Sequence, residues 1–145
     1  MRHDFHPTVL REYDIRGLVG DTLSAADARA VGASFGTVVR EAGGRKVSVG
    51  RDGRHSSPEL RAALVEGLTA VGIDVIDIGQ VSTPTLYFSV FELGTDGGVM
   101  ITGSHNPPAY NGFKMMLGRK AFYGQSILRL GRIAASGRYA EGQGK

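Results

Sequence analysis

The residue best placed to do chemistry in this chain is Ser104, within Thr102-Gly-Ser-His-Asn-Pro-Pro108. Pro107 and Pro108 fix their own φ, and each disfavours helix at the residue before it. A stiff loop therefore presents a hydroxyl, flanked by Gly103, His105 and Asn106, and Lys114 follows closely enough to return to it. Two other segments, Tyr13-Asp-Ile-Arg-Gly17 and Arg51-Asp-Gly-Arg54, combine charged residues with glycine and qualify as further functional loops.

Several serine chemistries are excluded. A nucleophile elbow needs glycine two residues before and after the serine, where this chain has Thr102 and Asn106. There is no G-x-x-x-x-G-K-[ST] phosphate loop and no G-x-G-x-x-G dinucleotide turn. Neither H-E-x-x-H nor H-x-x-E-H occurs, which removes the common zinc hydrolases. A serine on a rigid loop with a cation nearby suits a hydroxyl that carries a phosphoryl group. Phosphoserine bears a charge of about −1.5 to −2 and needs donors around it.

The elements that must position these loops alternate between strand and helix. Ser24 and Asp27 form a capping box, and Ala28, Val31, Phe35, Val38 and Val39 make the apolar stripe of a helix that Gly43-Gly44 ends. Lys46–Gly50 reads as a strand leading into the Arg51–Arg54 loop. A second helix begins with Ser56 capping toward Glu59, or with Ser57 before Pro58, and buries Leu60, Leu64, Leu68 and Val71 up to Gly72. Ile73–Ile78 is a β-branched run, expected as a strand covered on both faces. Thr83-Pro84 opens a third helix carrying Leu86, Tyr87, Val90 and Phe91. Gly98–Thr102 is a strand, Asn111–Leu117 reads as a further strand although its Asn111-Gly112 start also reads as a turn, and Gln125–Ser136 is a last helix.

This order predicts βαβ crossovers and a three-layer α/β/α fold: a mixed, largely parallel sheet covered by helices. Ligands then bind in loops beyond the carboxyl ends of the strands. Residues 1–136 form the domain, and Gly137–Lys145 reads as a linker or the truncated start of the next one.

Composition narrows the class. The chain has 22 glycines in 145 residues without a period of three, 41% apolar residues and no cysteine. These exclude collagen, disorder, a disulfide framework and a thiolate metal site. The net charge of +3 arises without a block of like charges, so nucleic-acid binding has no support and small anions fit equally well. No apolar run reaches the ~20 residues of a membrane span, and no signal peptide is seen. A cytoplasmic protein with no membrane partner is expected.

The run from Thr102 to Lys114, Thr-Gly-Ser-His-Asn-Pro-Pro-Ala-Tyr-Asn-Gly-Phe-Lys, resembles the active-site loop of the α-D-phosphohexomutases, in their phosphomannomutase/phosphoglucomutase branch. Tyr13–Gly17 and Gly50–Arg54 resemble two further signatures of that family, in the same order. The resemblance implies that Ser104 is phosphorylated at rest and gives its phosphoryl group to a hexose monophosphate. A hexose 1,6-bisphosphate forms, turns over in the site and returns its other phosphate. It implies that Lys114 and Arg16 steady the transferring group, that His105 shuttles a proton or donates a hydrogen bond, and that Tyr13 and Asn106 meet the substrate. Mg2+ would contact the phosphate on Ser104.

The remaining magnesium ligands of the family come from an Asp-Gly-Asp-Gly-Asp-Arg loop that is absent from these residues. By the same resemblance the chain is the first of four domains. The other three are its partners, and it is expected to lack turnover alone. Gly103, and the residues from Pro108 to Lys114, favour a mannose or glucose phosphate over a glucosamine phosphate. The readings set against this one are a phosphoglucosamine mutase domain and a non-catalytic anion-binding module on the same fold.

Other residues have plainer expectations. Asp52 and Arg54 brace the loop near Ser104, Arg16 pairs with Asp14 or Asp21, Tyr13 is a core aromatic or a sugar contact, and His3, His6 and His55 lie on the surface without partners.

Overall fold

A computed structural model describes residues 2–145. In chain order the elements are β1 (Ile15–Leu18), α1 (Ala25–Glu41), β2 (Lys46–Arg51), α2 (Ser57–Ala70), β3 (Asp74–Gln80), α3 (Thr83–Glu92), β4 (Gly97–Ile101), β5 (Tyr110–Leu117), β6 (Lys120–Ala121) and α4 (Gln125–Ser136). Six strands form one sheet in the order β1-β5-β4-β2-β3, with β6 paired to β5. The sheet is mixed. Its parallel part is β4-β2-β3, built by the crossovers through α2 and α3, while β5 runs antiparallel to β1, β4 and β6. Among the described residues no helix is long and apolar enough to cross a membrane.

One face of the sheet buries Val47, Val49, Val99, Ile101, Phe113 and Met115 in the main core with Phe35, Leu64 and Leu68 of α1 and α2. On the other face α3 packs Leu86 and Val90 close to Gly98. The two long helices touch intimately because glycines line their seam. A Cβ on Gly67 would fall on the Arg29 carbonyl and 2.9 Å from the Ala33 nitrogen, and one on Gly32 would lie 2.9 Å from the Leu68 nitrogen.

The Ser24–Asp27 capping box forms as the sequence predicts, and Gly43, at φ +88°, follows the end of α1. Several expectations need correction. Ser56 is the N-cap of α2 but makes no side-chain cap bond. Its hydroxyl and that of Ser57 are instead committed across the fold, to Asn111 and Asp52. The run leading to Ile78 belongs to β3, which is the sheet edge and is only half-buried, because no strand lies beyond it. Phe91 faces out at 45% exposure, since α3 turns Leu86 and Val90 to the sheet.

Of the two readings of Asn111-Gly112, the strand from Asn111 to Leu117 holds and the turn does not. Both residues lie inside β5, where Gly112 pairs with Arg16 of β1. The Tyr13–Gly17 segment accordingly ends in a strand, not a loop. His3 also has a partner: its Nε2 lies 2.6 Å from Asp27 Oδ1. His6 Nδ1 lies 2.9 Å from Thr8 Oγ1. The stretch from Gly137 onward lies against the domain, with the Val75 N–H donating to the Lys145 carbonyl at 2.9 Å and the Gly144 N–H to Thr69 at 2.8 Å.

Candidate active site

Three segments converge at one end of the sheet. The Ser104 loop leaves the carboxyl end of β4, and the Asp52–Arg54 loop leaves the same end of its parallel neighbour β2. β1 lies antiparallel to β5, so Arg16 sits opposite Gly112, two positions before Lys114. Alternation along strands then sends the Arg16 and Lys114 side chains to one face of the sheet, with Asp14 two residues before Arg16.

Asp14 is the hinge of that face. Its side chain is buried, it accepts from Arg16 Nη2, and its Oδ2 lies 3.6 Å from Lys114 Nζ. Arg16 Nη1 donates in turn to Asn106 Oδ1, tying β1 to the serine loop. Arg16 Nε is buried with no hydrogen-bond partner among the described residues. A buried unpaired donor calls for an explanation, and an acceptor brought by a ligand is one. Beside this group, burial and then the negative charge of Asp14 hold the Tyr87 phenol above its ordinary pKa.

The back of the serine loop is held by Arg54. Its guanidinium donates to the carbonyls of Ser104 (3.0 Å), Asn106 (2.8 Å), Pro107 (2.8 Å) and Tyr110 (3.2 Å). Asp52 completes the bracket: its Oδ2 accepts from the Gly103 N–H at 3.1 Å and from Arg54 Nε at 3.1 Å. Its Oδ1 accepts from Ser57 Oγ at 2.6 Å and the Arg54 N–H at 3.1 Å. Burial alone would raise the Asp52 pKa. The hydrogen bonds from Ser57, Arg54, Gly103 and Thr102 outweigh that and hold it below the ordinary carboxylate value. Buried Asn111 donates to Ser56 and Ser57 at 2.8 and 3.0 Å, extending the network into β5.

Two backbone features mark the loop. Ser104 is the only non-glycine residue with positive φ, at 55°, among the described residues. Such strain in an ordered site points toward function. Gly103 has no room for a side chain, because a Cβ there would run into the Arg54 guanidinium.

The structure thus links Asn106 of the Ser104 loop to Arg16, and Arg16 to Lys114 through Asp14. His105 is exposed in the same loop, with no side-chain hydrogen bond among the described residues. Tyr13 is no core aromatic: it is 72% exposed, and its ring lies 6.0 Å from that of Tyr123.

The carboxylates near the loop do not suit a divalent metal. Asp14 faces two cations, and Asp52 is filled by N–H and O–H donors. Among the described residues no group of three or more His, Asp or Glu side chains could hold a metal ion. The residues present therefore do not by themselves fit a magnesium site.

Sequence reasoning paired Asp14 with Arg16 but missed its contact with Lys114, and it missed the network of Ser56, Ser57 and Asn111. Asp14 stood inside a motif already singled out, and alternation with Arg16 was its available signal. Ser56 and Ser57 carry none for their bonds with Asn111, 55 and 54 residues on in the chain.

Comparison with known proteins places this geometry. Residues 7–129 match the family described as phosphoglucomutase/phosphomannomutase, alpha/beta/alpha domain I. A phosphoglucomutase of Neisseria gonorrhoeae is 48% identical over 122 residues, covering 84% of this chain and 26% of the relative. A phosphomannomutase/phosphoglucomutase of Pseudomonas aeruginosa is 46% identical over 123 residues, covering 85% of this chain and 27% of the relative. The crystal structure of a phosphoglucomutase/phosphomannomutase family protein from Burkholderia thailandensis superimposes with a TM-score of 0.93 at 45% identity, over 97% of this chain and 32% of that one. The chain spans about a quarter of the length of the curated relatives it matches.

Proposed function

The chain belongs to the phosphoglucomutase/phosphomannomutase family as its α/β/α domain I, and from that premise we propose that Ser104 is the phosphoryl carrier of a hexose-phosphate mutase. The observation that carries this reading is the pairing of Arg16 and Lys114 through one buried carboxylate, with Arg16 bonded to the serine loop itself.

Phosphorylated Ser104 gives its phosphoryl group to the free hydroxyl of a hexose monophosphate. The Oγ–P bond breaks, a bond from phosphorus to the sugar oxygen forms, and the hydroxyl proton passes to a base. His105, exposed next to the serine, is that base. The hexose 1,6-bisphosphate then returns its other phosphoryl group to Ser104, which leaves the isomeric monophosphate. Transfer of this kind depends on positioning and charge stabilisation, which Arg16 and Lys114 supply from fixed sites. Tyr13 and Asn106 meet the sugar. Gly103 and the Pro108–Lys114 run favour glucose or mannose phosphate. As domain I alone the chain accepts a phosphoryl group without sustaining turnover; the remaining domains, with Mg2+, complete the enzyme in the cytoplasm.

Backbone amide NMR of the chain titrated with glucose 1-phosphate, mannose 1-phosphate, glucosamine 1-phosphate and sulfate tests this. Saturable shifts confined to Tyr13–Gly17 and Gly103–Lys114, larger for the two hexose phosphates than for sulfate, are expected. Equal response to sulfate would make the site a general anion holder and overturn the proposal.

A further inference from the structure

Most carbonyls of the serine loop are spoken for, and one residue takes the largest share. From Gly103 to Tyr110, Arg54 engages those of Ser104, Asn106, Pro107 and Tyr110. The Gly103 carbonyl accepts from the Asn106 N–H at 3.0 Å and that of Ala109 from the Val19 N–H at 2.9 Å. A carbonyl oxygen near a phosphoryl group opposes its negative charge, and a serine held at φ 55° cannot keep that conformation in a slack loop.

We infer that Arg54 is a positioning residue for phosphoryl transfer: it draws the loop's carbonyls toward itself, clears acceptors from the phosphoryl side and locks the backbone of Ser104. This rests on Ser104 being the carrier. Arg54 acts through the loop and need not touch the substrate. Its planar fork can serve several acceptors at once, which a lysine ammonium cannot do in the same geometry. Asp52 aligns the fork from behind through Nε, and Gly103 leaves it space. A pocket of about 320 Å3, lined by Asp52, Gly53, Arg54, His55, Asn106 and Pro108, opens beside the guanidinium. A small cation from solvent could therefore reach the space left by a shortened side chain.

Chemical rescue tests this. Arg54→Ala and Arg54→Lys chains are compared with the unaltered chain, and Arg54→Ala is also examined in sub-denaturing guanidinium chloride against sodium chloride of equal ionic strength. Hydrogen exchange at the Gly103 and Asn106 amides is one readout. The rate at which Ser104 gains a phosphoryl group from hexose 1,6-bisphosphate is the other. In Arg54→Ala, exchange at these two amides is expected to rise roughly tenfold, with α1 unchanged, and phosphoryl uptake to fall about a hundredfold. Guanidinium restores both and sodium does not, while Arg54→Lys stays folded but slow. Unaltered exchange and uptake in Arg54→Ala, or equal rescue by sodium, would overturn the inference. No uptake by the unaltered chain would instead defeat the carrier reading, and hydrogen exchange would then decide the clamp by itself. Should Arg54→Ala fail to fold, Arg54→Lys supplies the comparison: native exchange and uptake there would equally sink the inference.

Discussion

Asp14 Oδ2 lies 3.6 Å from Lys114 Nζ, across the junction of β1 and β5, while the same carboxylate holds Arg16. One buried acid is thus the shared counter-charge of two cations, leaving the trio with a net positive charge beside the serine loop. Removing it should matter more than removing either cation. Asp14→Asn leaves two positive groups crowded together without a counter-charge. A loss of about 2–4 kcal/mol is expected, discounted because Lys114 keeps some contact with water. Urea unfolding of Asp14→Asn beside Lys114→Met measures it; an equal or smaller loss in Asp14→Asn would argue against a shared anchor.

The strain at Ser104 predicts an order of stability. Glycine accepts a positive φ freely, whereas alanine keeps the steric penalty while also losing the hydroxyl. Ser104→Gly should therefore be more stable than Ser104→Ala by roughly 0.5–1 kcal/mol. Thermal or urea midpoints of the two variants provide the comparison, and no difference would mean that the loop relaxes out of the left-handed conformation.

Asp52 gives a pH signature. Its folded pKa lies below the ordinary value of 3.8, because hydrogen bonds to the charged form overcome burial. A depressed carboxylate contributes stability that is fully present above its unfolded pKa and is lost as pH falls through its folded one. The stability advantage of the unaltered chain over Asp52→Asn should therefore hold from neutral pH to about 5 and shrink below about 4. Parallel stability curves across that range would show that the charge of Asp52 contributes nothing.

Gly67 reverses a usual rule. Alanine in place of a helical glycine ordinarily stabilises by about 1 kcal/mol. Here the added Cβ would meet the backbone of α1 at Arg29 and Ala33, so Gly67→Ala should destabilise by roughly 1–3 kcal/mol. A higher melting temperature in Gly67→Ala would show that the two helices separate at little cost.

Much of this was legible in the sequence. The capping box at Ser24, the glycine after α1 and the buried stripe of Leu60, Leu64 and Leu68 are local patterns, and local patterns survive folding. The Thr102–Lys114 motif announced its own importance. What stayed hidden depends on which strands are neighbours. Periodicity can start a strand at Asn111, but it cannot show that β3 is an edge or that Asn111 lies beside Ser56 and Ser57. Those serines look like caps because capping is the local option; a distant asparagine engages both instead, and Ser57 also turns back to Asp52, five residues before it. Arg54 reads in the sequence as a brace for the serine loop, but the four carbonyls it holds become visible only when topology sets β2 beside β4.

The most direct measurement is peptide mass spectrometry of the purified chain after incubation with glucose 1,6-bisphosphate. A gain of one phosphoryl group on the peptide containing Ser104, lost in Ser104→Ala and reduced in Lys114→Met, is the predicted result. Phosphate on another residue, or none on Ser104, would contradict the assignment of this serine as the carrier.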